Sequence, residues 1–264
     1  MARVETTEIE TGGGAGVPTK RAPVLAVRLG RGRTGGTTLL DFLIQRARNQ
    51  GREIIVADGD RRNADLAGLH PGAMQPPTDE TGDVKEWITA VLIRMAETGR
   101  SVALDLGGGD RVLSEYGKDL ALTEFCAEIG AQPLALLCMG PDPSDFEHVL
   151  SLVRAGYFAP GRSVLVLNEN LVPANRTAAA AFEPIVTRGD FAELVKAGAR
   201  PIYLPALACM DHLRTRGLGF YAAIAGERGT SGEVMDPVRR FMVKKWIARL
   251  ERELAEVGVM DWLP

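Results

Sequence analysis

The run Gly30-Arg31-Gly32-Arg33-Thr34-Gly35-Gly36-Thr37-Thr38 has the composition of a loop that closes around an anion. Glycines let successive backbone N–H groups turn toward one point, where a polyphosphate would accept them. The run follows an apolar stretch, residues 24–29, and leads into a segment with helical periodicity. A helix N-terminus behind the glycines adds partial positive charge, so strand, loop and helix together make a phosphate cradle. Position 36, where such loops carry a lysine, is glycine. The loop therefore has the shape of a nucleotide cradle without its usual charge.

Two acidic strand ends accompany it. Asp58-Gly59-Asp60-Arg61-Arg62-Asn63 closes the second apolar run. At the carboxyl edge of a parallel sheet, Asp60 could orient or deprotonate a water and Asp58 could hold Mg²⁺ through water. The same residues serve equally well as turn formers and helix caps. The third run, residues 102–106, carries Asp105 and is followed by Gly107, Gly108 and Gly109. An apolar strand ending in Asp is the usual Mg²⁺-water carboxylate of nucleotide hydrolases.

Positioning these groups requires an open parallel sheet. Continuous apolar runs at 24–29, 54–58, 102–106, 134–139, 164–168 and 202–204 read as strands covered on both faces. Helical patterns lie between them at 37–50, 81–98, 113–129 and 144–155. This alternation predicts an α/β fold, a mostly parallel sheet with helices on both faces. Residues 1–22 read as a polar, glycine-rich disordered tail and 23–264 as one domain. Residues 170–200 suggest a small insertion packed on the sheet edge, with short helices near 175–182 and 191–197. Gly51, Gly99 and Gly130 fall at helix C-caps, and residues 71–79 read as a mobile loop beside the site.

Composition narrows the class. The chain of 264 residues is 45% hydrophobic with net charge −3, so any nucleic-acid surface must be local. No apolar run approaches the ~18 residues of a membrane span, and no signal-peptide pattern opens the chain. Cys126, Cys138 and Cys209 are widely spaced and read as reduced, buried thiols of a cytoplasmic protein. His70, His148 and His212 have no ligand-spaced neighbour and are expected at the surface or in caps.

The order of these elements resembles the ParA/MinD family of deviant-Walker ATPases, whose loop reads GKGGxGKTT. The resemblance covers about residues 23–225, with Gly30, Gly32 and Gly35 on the family's glycines, Thr37 on its Mg²⁺-binding hydroxyl and Thr38 on the residue after it. It implies nucleotide contacts along Gly30, Gly32, Arg33, Thr34, Gly35, Gly36, Thr37 and Thr38. It places Asp60 at the water-polarising position, Asp58 beside it, and Asp105 at the second Mg²⁺ acid. Asn168 matches the strand-end residue that reads the adenine, and Pro205 the loop that packs on the base. The family's signature lysine, which crosses the dimer to the partner's nucleotide, is Arg31 here. Arg33 stands where the family has glycine and is a second cation for the phosphates. The resemblance implies ATP and Mg²⁺ as cofactors, a nucleotide-dependent homodimer, and an adaptor or plasmid-encoded partner. The implied role is plasmid partition, stability or conjugative mobilisation, with slow or absent hydrolysis given the missing lysine. A non-hydrolysing DNA-binding or scaffolding protein on the same fold is the alternative. An enzyme using the cradle for another phosphorylated substrate ranks third.

The chain ends in a well-marked helix, 236–257, capped by Asp236 with Pro237 at its first position. Arg239, Arg240, Lys244 and Lys245 lie toward its N-terminus, against the helix dipole. The resemblance suggests non-specific DNA binding there; a solvated face opposite the apolar stripe Met242, Trp246, Leu250 and Leu254 explains them equally. Residues 259–263 are long enough only for a small docking peptide.

Overall fold

The computed structural model describes residues 21–107, 116–117 and 121–264. Residues 1–20 of the expected tail, Gly108 and Gly109, and residues 113–115 and 118–120 of the expected helix 113–129 lie outside the described residues.

Six strands form one sheet in the order β2-β3-β1-β4-β5-β6. They are β1 (Val24–Leu29), β2 (Ile54–Asp58), β3 (Ser101–Asp105), β4 (Gln132–Met139), β5 (Ser163–Asn168) and β6 (Arg200–Leu204). Every pairing is parallel. The α/β fold expected from the alternation is thus the fold observed. Because β1 and β5 are buried along their whole length and β2, β3 and β4 along most of theirs, these sequences read as apolar runs rather than as alternation.

The helices are α1 (Gly36–Asn49), α2 (Asp65–Leu69), α3 (Thr81–Thr98), α4 (Leu122–Glu128), α5 (Pro143–Arg154), α6 (Ala178–Val186), α7 (Gly189–Lys196), α8 (Met210–Arg216), α9 (Phe220–Ala225) and α10 (Pro237–Glu256). One sheet face packs Val27 and Leu104 with Trp87 of α3 and Phe146 of α5. The other packs Ala26 and Ala103 with Leu40 and Phe42 of α1, Phe220 of α9 and Trp246 of α10. Residues 170–200, expected as an insertion, contain α6 and α7, whose Phe182 and Phe191 join the first of these cores. They are a covering layer of the sheet itself.

α10 begins as its sequence dictates. The Asp236 carboxylate accepts from Arg239 N at 3.0 Å, and Pro237 occupies the first turn. Its buried stripe is Val243, Trp246, Ile247, Leu250 and Leu254, with Met242 only half-buried, so the face is rotated slightly from the expected one. Arg239 pairs with Asp236 at 2.7 Å, and Arg240 donates to Ile224 O at 2.9 Å. These contacts account for two cations at the unfavourable end of the helix dipole. Lys244 and Lys245 are exposed beside Val238 and Phe241. Among the described residues no helix is long and apolar enough to cross a membrane.

Candidate functional site

β1 lies between β3 and β4, and the chain leaves it on one side for β2 and β3 before crossing to β4. Open α/β sheets bind ligands at such a reversal, outside the carboxyl ends of the strands. The Gly30–Gly36 loop leaves β1 at this point and enters α1 through Gly35, whose φ of 87° is left-handed. Gly30, with φ of 124°, lies so close to Cys138 O of β4 that a Cβ would overlap it. Glycine at both positions is a condition of the loop's course, not a default.

The strand register then sets the chemistry. Arg28 pairs with Asp105 across β1 and β3, and Asp105 pairs with Asp58 across β3 and β2. Side chains alternate across a strand, so Arg28 shares its face with Val24 and Ala26 and points toward α1. Three ionisable groups therefore stand in a row at the sheet's carboxyl edge, all buried.

Asp105 is the hub. Its Oδ2 accepts from the Thr37 hydroxyl at 2.7 Å and its Oδ1 from Gly107 N at 2.8 Å. The Arg28 guanidinium lies 3.8 Å from Oδ1. Gly59 N donates to Asp105 O at 2.7 Å, tying the end of β2 to the end of β3. Trp87 of α3 lies over Gly59. Asp60 accepts from Asn63 N at 3.0 Å, and its carboxylate abuts Gly107 closely enough that a Cβ there would meet it at 2.7 Å.

A cleft of about 670 Å³ opens above these groups. Gly32, Arg33, Gly35, Gly36, Thr37, Thr38, Asp60, Asp105, Asn168 and Pro205 all line it, so most of the sequence-selected residues converge. Asn168 donates to Thr34 O at 3.0 Å and accepts from Asn170 N at 3.0 Å. An amide has two donors and two acceptor sites, so one of each remains for a ligand. Arg31 is not brought into the lining: its guanidinium donates to Ser144 Oγ at 2.7 Å and lies 3.6 Å from Asp145. Asp58 sits beneath the lining, accepting from Ala67 N at 2.8 Å and Asp60 N at 3.1 Å. Arg61 donates to Pro76 O at 2.6 Å and the exposed Arg62 pairs with Asp79 at 3.1 Å, so both contact the 71–79 segment rather than the cleft.

The residue that sequence reasoning passed over is Arg28. Its guanidinium donates to Gly107 O, to Arg31 O at 2.7 Å and to Thr34 Oγ1 at 3.4 Å. It lines the cleft and is 3% exposed. The available signal was one cation inside an otherwise apolar strand, two residues before the loop. The histidine expectation also needs correcting. His70 is buried, with Nε2 3.0 Å from Asp41 and Nδ1 3.0 Å from Arg48, because α2 folds it against a carboxylate in the middle of α1. The three cysteines are free and buried, as their contexts predicted.

Burial pushes the Asp58 carboxyl up to about 6; the N–H groups of Ala67 and Asp60 oppose this, and the charges of Asp105 and Asp60 add to it. A carboxyl with a raised folded value favours the protonated form. Its contribution to stability is therefore greatest below its ordinary value of 3.8 and is lost as pH rises through about 6. In metal-free buffer, wild type is expected to exceed Asp58→Asn in Tm by more at pH near 4 than at pH near 7.5. A pH-independent difference, read by differential scanning fluorimetry, would show that Asp58 titrates normally.

No protein-family model and no curated protein matches this sequence. Among solved structures, the chain is similar to chloroplast FtsY from Physcomitrella patens at 18% identity and TM-score 0.43, over 70% of this chain and 58% of that one. It thus spans less than two thirds of that FtsY chain. It is also similar to the MinD cell division protein of Aquifex aeolicus, at 12% identity and TM-score 0.46, over 86% of this chain and 97% of that one. A MinC:MinD complex from the same organism matches at 13% identity and TM-score 0.44, over 88% and 97% of the respective chains.

Proposed function

We propose that the chain is a nucleotide-dependent switch of ParA/MinD type, binding ATP with Mg²⁺ and dimerising in response. The observation that carries this reading is the 2.7 Å hydrogen bond from Thr37 to Asp105 at the foot of a glycine loop. A hydroxyl and a carboxylate so placed suit a hard cation that takes its other ligands from phosphate and water. The residues of the cleft fit such a pair. Its lining holds Asp60, Asp65, Asp105 and Asp211 against Arg28 and Arg33. A bare polyphosphate would meet more negative than positive charge there, whereas one carrying a divalent cation would not. Mg²⁺, when bound, supplies charge neutralisation between the phosphates and Asp105.

In this reading the loop amides bind phosphate, Thr37 and Asp105 hold the metal, and Asn168 and Pro205 face the base. Asp60 orients water, and Arg31 reaches a second subunit from its exposed position. Hydrolysis is slow or absent. The role is plasmid partition, stability or conjugative mobilisation in the cytoplasm, with a plasmid-encoded or adaptor partner and with Lys244 and Lys245 as the accessible cations for DNA.

Calorimetric titration with ATP and Mg²⁺, alongside light scattering with and without nucleotide, tests it. Wild type should bind and shift from monomer to dimer. Thr37→Ala should weaken Mg²⁺-dependent binding about tenfold or more, through loss of a charge-assisted contact, while leaving metal-free binding nearly unchanged. Failure of wild type to bind ATP or ADP at millimolar nucleotide removes the switch reading altogether.

A further inference from the structure

The glycine at position 36 and the arginine at position 28 explain each other. A Cβ on Gly36 would overlap Arg28 Nε and Cγ, with Cδ at 2.8 Å. The space through which a side chain from position 36 would leave the helix is filled by the Arg28 side chain, rising from β1 beneath it. Register and strand parity put it there: Arg28 lies opposite Asp105, on the face covered by α1.

Arg28 is not a neutralised core residue. Its side chain is 4% exposed, and its one carboxylate partner among the described residues, Asp105, is 3.8 Å away, a loose pair. Two of its three nitrogens are occupied by Gly107 O, Arg31 O and Thr34 Oγ1. The third, Nε, is buried and has no hydrogen-bond partner among the described residues. A buried donor on a cation left without an acceptor is costly, and this one lies at the root of a loop whose amides favour anions, in the lining of the cleft. An anion held by the loop would supply the missing acceptor.

On the reading of the cleft as a nucleotide site, we infer that Arg28 is the phosphate-binding cation of this loop, delivered from β1 through the space that Gly36 leaves open. The charge the loop lacks has moved, not vanished. Arg33 lines the cleft rim and is exposed, and Arg31 is turned to Ser144 and Asp145, so neither sits under the loop as Arg28 does. The same guanidinium bonds Gly107 O, so a phosphate that draws on Arg28 also acts on the segment following β3.

The test is a reciprocal exchange, read by titration with Mg²⁺·ATP and with Mg²⁺·tripolyphosphate, each variant checked for folding by circular dichroism and Tm. Arg28→Ala should lose about 10- to 100-fold in affinity for both ligands alike, as expected for a charged contact to phosphate. Gly36→Lys alone should bind no better than wild type, because Arg28 occupies the path. Arg28→Ala with Gly36→Lys should recover to within about threefold of wild type, the lysine using the cleared space. Arg28→Lys, which keeps a cation and a slimmer stem, should retain more affinity than Arg28→Ala, and covers the case in which the alanine variant does not fold. Equal affinity of folded Arg28→Ala and wild type overturns the inference. So does a folded double variant that binds no better than Arg28→Ala, since Arg28 would then act only by bracing the loop. Absence of binding by wild type instead overturns the nucleotide reading on which this rests.

Discussion

Trp246→Ala is expected to lower stability by about 3–5 kcal/mol, the usual cost of emptying a large aromatic site. For a chain of this size that is a fall of roughly 6–20 °C in Tm. Trp246 stacks on Phe220 with centroids 4.8 Å apart and meets the edge of Phe42 at 5.7 Å. One residue thus joins α10, α9 and α1 beneath the sheet. Its indole N–H donates to Pro205 O at 2.7 Å, so the same ring also holds a wall of the cleft. Trp246→Phe keeps most of the packing and removes only the donor. It should cost less, about 1–3 kcal/mol for the orphaned buried carbonyl. Scanning calorimetry of both variants decides the matter; an alanine variant within about 1 kcal/mol of wild type would show that the cluster repacks without loss.

Asp41→Ala carries the second large effect. Asp41 is 1% exposed in the middle of α1, where it accepts from Gln45 at 2.6 Å and pairs with Arg214 at 2.8 Å and His70 at 3.0 Å. Burial alone would raise its carboxyl, but the bonds from His70 and Gln45 and the charge of Arg214 outweigh this and hold it below the ordinary value. Removing one partner of a buried ionic cluster typically costs about 3–5 kcal/mol. The lower end applies here, because the Arg214 side chain is 30% exposed and can turn to water. The folded value is depressed, so this contribution is present above the unfolded value near 3.8 and is lost as pH falls through the lower folded one. The gap in unfolding free energy between wild type and Asp41→Asn should therefore narrow in acid, the opposite trend to Asp58. A gap that stays constant down to pH near 2 would remove the ionised cluster as the cause.

Much of the frame was legible because its signals are local. A strand covered on both faces announces itself as an apolar run, and β1 and β2 begin and end where those runs do. The cap at Asp236 and the turn at Gly99 are readable from residue type alone. The site was legible to the extent that it sits at strand ends. Thr37, Asp60, Asp105, Asn168 and Pro205 meet in one cleft because a parallel sheet gathers its carboxyl ends.

What escaped depends on contacts distant in sequence. Arg28 was hidden inside an apolar run, and only the register with Asp105 and the approach of α1 show what it faces. His70 and Asp41 are 29 positions apart, and nothing local marks either as buried. α8 and α9 are seven and six residues long, too short to carry two turns of helical periodicity. The contacts of Arg239 with Asp236 and of Arg240 with the Ile224 carbonyl were likewise beyond a sequence that left these cations open between a DNA-binding and a solvated face.

The close fit of Arg28 beneath Gly36 also governs how such a chain can change over generations. A lysine gained at position 36 meets Arg28 in its path, and an arginine lost from position 28 leaves Gly107 O and Arg31 O without its donors. If Arg28 is the cation of the loop, substitutions at the two positions should be strongly non-additive in their effect on phosphate affinity.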